Sequence, residues 1–352
     1  MRILAINPGG TSTKVAAFED EREIFNVNTL HPEGVINGFA SVVAQSSYRK
    51  AAVLELLEKH GTPLRDFSCI VGRGGLLKPL AGGTYRIDES LLADLRQAKF
   101  GEHPSNLGPI LSYELAMEAG IPAYTVDPVS VDEFWDIAKI SGISDLERPS
   151  WMHALNQKAV CRATAKRLGG TYADYNFIVA HLGSGISIAA HTGGRMVDGS
   201  GGRSNGPFSP ERSGGLPAYP LVNLCYSGKY THKEMVDRLS VSGGMYDYLG
   251  TKDMLEIERR CADGEEKALL IMNAFIYQVA CEIAGYGATL KGRVDRIIVT
   301  GGIARSARVL DGLKDRVGYL APIEVLAGEK EMESLALGAL RVLMGQEEAK
   351  SY

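Results

Sequence analysis

Short apolar runs alternate with glycine-containing turns and with stretches of helical periodicity along the chain. Near the N-terminus, apolar residues at 3–6 and 15–18 flank a polar turn rich in glycine and hydroxyl side chains, which predicts a β-hairpin. The segments that follow have the periods of helices or strands, and they lie at residues 39–60, 69–71, 88–98, 106–119 and 123–126. Strands that alternate with helices are typical of an α/β fold whose sheets are covered by helices.

The hairpin pattern returns in the middle of the chain. Residues 178–191 form an apolar run, a turn of glycine and serine, and a second apolar run, and residues 194–198 are predicted to begin a third strand. A long helix at 265–289, a strand at 295–300, a pair of glycines and another helix follow. The chain also exceeds the size at which single cores usually stop growing, roughly 250–300 residues. We therefore predict two related α/β domains.

Glycine is unusually frequent, with 41 of 352 residues, or about 12% against an average of roughly 7%. Ten of these glycines fall between residues 181 and 215. Turns without a Cβ allow backbone N–H groups to approach an anion closely, so the clustering favours phosphate as the ligand. Neither the P-loop pattern G-x-x-x-x-G-K-[ST] nor a convincing dinucleotide fingerprint occurs, which indicates a different phosphate-binding fold.

Charge and composition narrow the class of partner. The chain has 38 Lys+Arg and 42 Asp+Glu, a formal net charge of −4 and no block of like charges, which argues against nucleic acid or an anionic membrane as a partner. No uninterrupted apolar run reaches the roughly 20 residues that span a bilayer. The five cysteines are widely spaced without C-x-x-C, which is typical of a reducing compartment, and we expect a cytoplasmic location. Cys281 lies in an apolar helical stretch and is expected to be buried.

Six short motifs occur in order along the chain. They are Asn-Pro-Gly-Gly-Thr-Ser-Thr-Lys at 7–14, Val-Gly-Arg-Gly-Gly at 71–75, Val-Asp-Pro at 126–128, His-Leu-Gly-Ser-Gly at 181–185, Phe-Ser-Pro-Glu-Arg-Ser-Gly-Gly at 208–215 and Thr-Gly-Gly-Ile at 300–303. In this order they resemble the acetokinase family, in the superfamily of acetate and sugar kinases, Hsp70 and actin. The resemblance implies an α/β fold of two related RNase H-like (actin-like ATPase) domains with a cleft between them. The N-terminal domain would comprise residues 1–128 and 331–352, and the C-terminal, nucleotide-binding domain residues 129–330.

The resemblance also implies a reaction, in which the γ-phosphoryl group of ATP is transferred, with Mg²⁺, to a short-chain carboxylate to give an acyl phosphate and ADP. The transition state spreads negative charge over several oxygens, so fixed positive donors are needed around them. Arg212, in a glycine-rich loop, and Arg73, between glycines, are the catalytic candidates, since a guanidinium can bind two oxygens at once. In acetate kinases the functional arginine lies three positions earlier, where this chain has Ile70, so the role of Arg73 is inferred across that shift.

Two further catalytic candidates follow apolar strands. Asp127 matches the family's catalytic aspartate. The substrate is a simple carboxylic acid, which like Glu (pKa ~4.3) is already ionised at neutral pH and has no proton to lose. We therefore expect Asp127 to orient Mg²⁺ and its water rather than to remove a proton. His181 opens the second glycine turn and is expected to donate to the transferring phosphoryl oxygen. His103 precedes a predicted helix that Ser105 would cap, and it is a candidate for the substrate pocket.

The remaining candidates that the resemblance implies contact the nucleotide or the metal. Those expected at the phosphates or the adenosine are Asn7, Ser12, Lys14, Gly183, Ser184, Gly185, Gly301, Gly302 and Ile303. The metal candidates are Asn7, Asp127 and a glutamate, Glu333 or Glu331, at the start of the last predicted helix. Ala304 and Arg305 depart from the family pattern, which leaves the choice between ATP and GTP open.

Two small residues bear on the identity of the acid. Gly72 and Ala180 precede Arg73 and His181, at positions where acetate-specific relatives have bulkier side chains that line the acyl pocket. We therefore expect room for butyrate or a branched acid such as isobutyrate. Each buried methylene contributes only about 0.8 kcal/mol, so propionate and valerate are expected as further substrates, and an acetate or propionate kinase is the alternative.

Two other functions stay open. A sugar or amino-sugar kinase of the same superfamily would need a general base for a hydroxyl group and polar sugar-binding residues, which we do not identify in the sequence. A nucleotide-switched binding protein of the Hsp70 or actin type would not need both arginines. For the favoured function we expect ATP and a short-chain carboxylate as partners, no nucleic acid or membrane, and a homo-oligomer.

Overall fold

The computed structural model describes residues 1–201 and 205–352. In those residues the strands are β1 (Arg2–Pro8), β2 (Ser12–Glu19), β3 (Arg22–Leu30), β4 (Cys69–Gly72), β5 (Thr84–Arg86), β6 (Ala123–Val126), β7 (Phe177–Leu182), β8 (Ile186–Thr192), β9 (Arg195–Gly201), β10 (Arg296–Gly301) and β11 (Ile323–Ala327). The helices are α1 (Glu33–Ile36), α2 (Ser46–Lys59), α3 (Glu89–Arg96), α4 (Leu107–Ala119), α5 (Asp136–Lys139), α6 (Ala154–Arg167), α7 (Ala218–Cys225), α8 (His232–Ser240), α9 (Gly244–Leu249), α10 (Met254–Ala262), α11 (Glu266–Thr289), α12 (Ala307–Val317) and α13 (Glu331–Leu343). Short 3₁₀ turns lie at Val43–Gln45, Leu64–Asp66, Pro104–Asn106, Tyr172–Asp174 and Gly302–Arg305.

The chain divides into two compact units. The first comprises Met1–Val131 and Lys330–Tyr352, and the second comprises Asp132–Glu329. The C-terminal helix α13 therefore belongs with the N-terminal part of the chain, where it packs on β1, β4 and β6. These limits lie within a few residues of the domain limits that we expected.

The sheet of the first unit has the strand order β3-β2-β1-β4-β6-β5. The strands β1, β2 and β3 form an antiparallel meander. The strands β4 and β6 continue the sheet parallel to β1, so the carboxyl ends of these three strands lie along one edge. Both α4 and α13 pack on the parallel strands. This edge carries the candidate residues of the first unit.

The sheet of the second unit has the order β11-β10-β7-β8-β9. Here β7, β8 and β9 form the antiparallel meander, and β10 and β11 continue the sheet parallel to β7. The connectivity is the same as in the first unit, apart from the additional strand β5 there. The prediction of two related α/β halves is confirmed, and the first two strands of each sheet form a hairpin, although in the second unit α5 and α6 precede it.

The helix α11 lies at the centre of the apolar core of the second unit. Its buried stripe includes Phe275, Val279 and Ile283, which belong to one cluster with apolar residues of β7 and β10. Within the described residues, α11 is the one helix long and apolar enough to cross a membrane, judged by length and composition only. The expected burial of Cys281 is wrong, because the thiol is exposed. Cys281 lies two positions from both Val279 and Ile283, and residues two positions apart lie on opposite faces of a helix.

Candidate active site

Three candidate residues of the first unit, Asn7, Arg73 and Asp127, lie at or just beyond the ends of strands that run in the same direction. Ile6, which precedes Asn7, pairs with Gly72, which precedes Arg73. Gly72 in turn pairs with Thr125, two positions before Asp127. All three candidates therefore lie at the carboxyl edge of β1, β4 and β6, which is where open α/β sheets bind their ligands.

Glu331, the first residue of α13, connects two of these candidates. Its Oε2 accepts a hydrogen bond from Asn7 Nδ2 at 2.6 Å, and its Oε1 lies 2.9 Å from Arg73 Nη1. The positive end of the helix dipole stabilises a carboxylate in the first turn. Glu333 instead pairs with Lys330 at 2.9 Å, with both side chains more than one third exposed. Of the two glutamates left open by the sequence, the structure brings Glu331 to the other candidates.

The oxygen atoms around Asn7 fit a hard cation. The side-chain oxygen of Asn7 is buried and has no hydrogen-bond partner within the described residues. The Glu331 carboxylate accepts a hydrogen bond from the amide nitrogen of the same Asn7 side chain. Mg²⁺ at phosphoryl-transfer sites is usually held by one or two carboxylates together with substrate phosphates and water. In the described part of the chain, no group of three or more His, Cys, Asp or Glu side chains could hold a metal ion. The oxygen atoms of Asn7 and Glu331 therefore fit a cation that takes its other ligands from a phosphate group and water.

Asp127 is held in an uncommon backbone conformation. It is buried and has a φ of 39°, in the left-handed region that costs an L-residue about 1–2 kcal/mol. Its Oδ1 accepts a hydrogen bond from Gly83 N at 2.7 Å, and its own N–H donates to Gly83 O at 3.0 Å. This reciprocal pair offsets the strain and fixes the carboxylate just beyond β6. Strain of this kind is concentrated at functional sites.

The first glycine turn places Lys14 beside Asn7. The two residues are directly opposite in the antiparallel pair of β1 and β2, so their side chains lie on the same face of the sheet. The N–H of Gly9 donates to Ser12 O at 2.8 Å and closes the turn. Ser12 begins β2, and its hydroxyl lies close to Gly9. The three predicted phosphate contacts of the first unit are therefore neighbours.

Gly72 has a packing role that the sequence did not reveal. A Cβ at this position would overlap the carbonyl group of Gly108 in α4, and a Cβ at Gly108 would overlap the carbonyl oxygen of Arg73. The close approach of β4 and α4 therefore requires glycine at both positions. The interpretation that Gly72 leaves open space for a long acyl chain is corrected, because helix backbone occupies that side of the strand.

Replacement of Gly72 by alanine is expected to destabilise the first unit. The added methyl group would force β4 and α4 apart, and overpacking of this kind costs about 1–3 kcal/mol. Thermal unfolding of Gly72→Ala should show a midpoint several degrees below that of the wild type. The control is Gly34→Ala, because no atom lies within 4 Å of a Cβ placed there. Equal midpoints for the two variants would contradict the packing role.

His181 of the second unit is oriented from two sides. It is buried, its Nδ1 lies 2.9 Å from Asn156 Oδ1, and its ring stacks on His153 with centroids 3.9 Å apart and planes inclined by 13°. Its Nε2 lies 3.0 Å from Glu329 Oε1, although the two atoms are not aligned for a hydrogen bond. A Cβ at Gly183 would lie 3.3 Å from the same nitrogen. Nε2 therefore faces the second glycine turn, as the predicted contact with a phosphoryl oxygen requires.

A chain of buried polar side chains lies next to His153. Ser187 Oγ lies 2.8 Å from His153 Nδ1 and accepts a hydrogen bond from Gln157 Nε2 at 2.8 Å. Gln157 Oε1 lies 2.9 Å from His191 Nε2, and His191 Nδ1 lies 2.6 Å from the Tyr172 hydroxyl. Burial holds the pKa of His191 well below its usual range, so this ring is neutral at physiological pH. The network fixes the imidazole of His153, and the stacking of His153 on His181 in turn fixes the catalytic candidate His181.

The loop that carries Arg212 is tied to the second glycine turn. Ser209 Oγ donates to Ser184 O at 2.6 Å and accepts from Arg212 N at 3.0 Å. The Arg212 guanidinium lies against Gly185, where a Cβ would be 2.8 Å from Nη1. A side chain at position 185 would displace the guanidinium, so glycine is required for this arrangement. Ser184 and Gly185 of one predicted motif and Arg212 of another therefore form one cluster.

The predicted adenosine segment begins at a close backbone contact. Gly301 ends β10 with a φ of 87°, and a Cβ there would overlap the carbonyl group of Leu182. Gly302 starts the following 3₁₀ turn, in which Ile303 is buried, and no atom lies within 4 Å of a Cβ placed at Gly302. The fold therefore requires Gly301, whereas Gly302 leaves open space at this end of the sheet.

Two predicted pocket residues have other surroundings than expected. Ala180 is fully buried in the apolar cluster around α11, so its small size is explained by the core. His103 is exposed, and its Nδ1 accepts a hydrogen bond from Ser105 N at 3.2 Å. His103 is thus the N-cap of a short 3₁₀ turn, and the predicted cap by Ser105 is wrong. A substrate contact for His103 stays a prediction.

The sequence analysis missed Asn156, His153 and Ser209, which orient His181 and Arg212. The helix α6 buries a run of three polar residues at its start, of which Asn156 is the first. Polar residues at buried helical positions are uncommon unless they are paired, so such a run is a usable signal once the helix is known. Ser209 belongs to the motif around Arg212, where its role as an anchor of the loop is not visible from sequence.

The second unit carries the pattern of a known protein family. Residues 148–321 match the acetokinase family model. The matched residues include the second glycine turn with His181, the Arg212 loop and Gly301, all within the second unit.

Three solved structures share the fold over nearly the whole chain. The acetate kinase of Porphyromonas gingivalis has a TM-score of 0.82 and 17% identity, covering 97% of this chain and 99% of that one. A propionate kinase of Francisella tularensis has a TM-score of 0.75 and 19% identity, covering 96% and 98%. The acetate kinase of Entamoeba histolytica has a TM-score of 0.74 and 16% identity, also covering 96% and 98%. These likenesses establish the fold, the actin-like ATPase fold of the acetate kinases, as the sequence predicted.

Proposed function

We propose that this protein is a carboxylate kinase, which transfers the γ-phosphoryl group of ATP reversibly to a short-chain carboxylate and yields an acyl phosphate and ADP. The observation that carries the proposal is the contact of Glu331 with both Asn7 and Arg73. These residues come from three separate parts of the sequence, and each was a candidate before its surroundings were known. The acetokinase match of the second unit supports the same reaction.

The side chains of the two units suit different parts of the substrates. In the first unit, the partly exposed guanidinium of Arg73 can bind the two oxygens of a carboxylate side by side. In the second unit, Arg212 and His181 Nε2 both border the glycine turn. They can donate to phosphoryl oxygens as negative charge develops on them. Gly301, Gly302 and Ile303 are the proposed contacts of the nucleoside.

Asn7 and Glu331 are the proposed protein ligands of Mg²⁺, and Asp127 is proposed to orient its water. Mg²⁺ bound there would neutralise charge on the phosphate oxygens. The fixed carboxylate of Asp127, locked by its reciprocal hydrogen bonds with Gly83, suits an orienting role better than proton transfer. Glu333 is left out of this set because it pairs with Lys330 on the surface.

For the acid we propose butyrate or isobutyrate, with acetate or propionate as the alternative. The support is the position of Arg73, which resembles the pattern of butyrate kinases and not that of acetate kinases. The small size of Gly72 and of Ala180 gives no support, because packing explains it. The structural relatives are acetate and propionate kinases, but their low identity does not carry their substrates to this chain. The expectations of a cytoplasmic homo-oligomer that uses ATP belong to the same proposal.

One assay tests the proposed function. The purified protein is incubated with ATP, Mg²⁺, hydroxylamine and unbranched or branched acids of two to six carbons, and acyl hydroxamate is measured. We expect product that depends on both ATP and acid, with the highest kcat/KM for a four-carbon acid and none with butyramide, which lacks the carboxylate. Hydrolysis of ATP that is independent of acid would favour a nucleotide-switched binding protein. Phosphorylation of a sugar in place of the acids would favour a sugar kinase.

A further inference from the structure

Three carbonyl groups of the first glycine turn accept hydrogen bonds from donors within the protein. Gly10 O accepts from Arg49 Nη2 at 2.8 Å, and Ser12 O accepts from Arg49 Nη1 at 2.7 Å. Thr11 O accepts from His31 N at 2.8 Å. Gly10 and Thr11 are exposed, and within the described residues their own N–H groups donate to no backbone or side-chain acceptor. The turn therefore leaves two adjacent N–H groups at the surface that can donate to an anion.

Arg49 is buried and has no negatively charged partner in the part of the chain that the structure describes. Its side chain is 0% exposed. Besides the two carbonyl oxygens, its hydrogen-bond acceptors in the described residues are Gln45 Oε1 at 2.9 Å and Thr13 Oγ1 at 3.0 Å, which are neutral. Buried charges are normally paired, because removing a charge from water is costly. Burial lowers the pKa of Arg49, but a guanidinium keeps its proton at neutral pH. A positive charge is therefore fixed behind the turn.

His31, which contacts the same hydroxyl group as Arg49, adds no second charge behind the turn. His31 Nε2 lies 2.8 Å from Thr13 Oγ1, the same hydroxyl that Arg49 contacts. Burial, together with the charge of Arg49, lowers the pKa of His31, so its ring is neutral. Arg49 and its neighbours thus leave a site with two surface N–H groups in front and one uncompensated cation behind. Both features attract an anion with several negative oxygens.

We propose that Arg49 is a positioning residue for a polyphosphate-binding turn, which holds the carbonyl groups of Gly10 and Ser12 inward and supplies the buried charge behind them. The ligand is the di- or triphosphate of a nucleotide, an identity that rests on the proposed function. The helix α2 brings Arg49 to the turn from 37 residues beyond Ser12, on the same buried stripe as Val53 and Leu57. Arg49 does not touch the substrate and acts through the backbone of the turn.

The experiment compares Arg49→Met, which keeps the length of the side chain but removes the charge and the donors, with the wild type. Calorimetry with tripolyphosphate and with ATP gives the Kd, and inorganic phosphate shows whether a single phosphate group suffices. We expect a rise in the Kd of tripolyphosphate and ATP of about tenfold or more, which corresponds to about 1.4 kcal/mol per factor of ten. Arg49→Lys should fall between the two, because it keeps the charge but not the planar fork.

The matched control is Arg341→Met in the same unit, since Arg341 is a partly buried arginine whose Nε donates to Glu347 Oε2 at 2.8 Å. It should lower the unfolding midpoint but change each Kd less than twofold. If Arg49→Met does not unfold cooperatively, a folded Arg49→Lys replaces it, with at least a threefold rise in Kd expected. Unchanged Kd values in a folded Arg49 variant would overturn the proposal. A wild type that binds tripolyphosphate but forms no acyl hydroxamate would instead overturn only the proposed function.

Discussion

Arg212→Ala is expected to lower kcat for acyl phosphate formation by about a thousandfold or more, with KM for ATP and acid changed much less. An arginine that neutralises charge on the transferring phosphoryl group contributes about 10³- to 10⁵-fold to kcat in other phosphoryl-transfer enzymes. The side chain is held for such a role, because Ser209 anchors its loop to Ser184 and the guanidinium lies against Gly185. Its contribution should therefore be greatest in the transition state. The measurement is steady-state kinetics of hydroxamate formation.

The control for this experiment is Arg238→Ala in the same unit. Arg238 pairs with Asp247 at 3.0 Å on the surface, so its loss should change kcat less than twofold. Arg212→Lys should recover only a small part of the activity, because a lysine offers a point charge and not a planar fork. If Arg212→Ala raised KM for ATP and left kcat intact, the residue would bind the nucleotide in the ground state and the catalytic role would be wrong.

Local sequence patterns were sufficient to predict the strands and turns that carry the candidate site. The apolar runs at 3–6 and 15–18 and the glycines between them correspond to β1, β2 and their turn. The strand predicted at 123–126 has the observed bounds, and α4 starts one residue after its predicted beginning. These elements are short and strongly patterned, and some have clear end signals, since β1 ends at Pro8 and Gly120 caps α4. Such local signals do not depend on the rest of the fold.

Contacts between distant parts of the chain could not be predicted in the same way. Gly72 is a glycine because Gly108 approaches it, and the sequence between them gives no sign of this approach. The small residue before the candidate Arg73 was therefore interpreted as open space, although helix backbone fills that space. Gly301 shows the same limit, since the carbonyl group of Leu182 excludes a side chain there.

Buried polar side chains were the other gap. The helix predicted at 39–60 starts only at Ser46, after a 3₁₀ turn, and Arg49 lies on its buried stripe. An arginine at such a position is indistinguishable from a surface arginine in a sequence pattern, because the pattern shows periodicity and not what the side chain contacts. The polar start of α6, with Asn156, was passed over for the same reason. Both helices support glycine turns whose motifs the sequence did reveal.

Glu331→Gln is expected to lower kcat/KM by about a hundredfold at limiting Mg²⁺, which corresponds to about 2.7 kcal/mol of transition-state stabilisation. The substitution keeps the shape of the side chain but removes the charge that both Asn7 Nδ2 and Arg73 Nη1 contact. Asn7 would then lose a charged partner, and Arg73 would lose the carboxylate that holds it near the strand ends. Because Glu331 serves both residues, we expect the Mg²⁺ concentration for half-maximal rate and the KM for the acid to rise together.

Glu333→Gln separates this role from a general effect of charge at the start of α13. Glu333 lies in the same first turn, so its replacement removes the same charge from the same helix end, but its partner is the exposed Lys330. It should change kcat/KM less than twofold, since exposed ion pairs contribute little. Titrations of Mg²⁺ and of the acid on both variants give the two parameters independently. A rise in KM for the acid alone would reduce Glu331 to an anchor of Arg73, whereas a larger defect in Glu333→Gln would move the metal ligand to that residue.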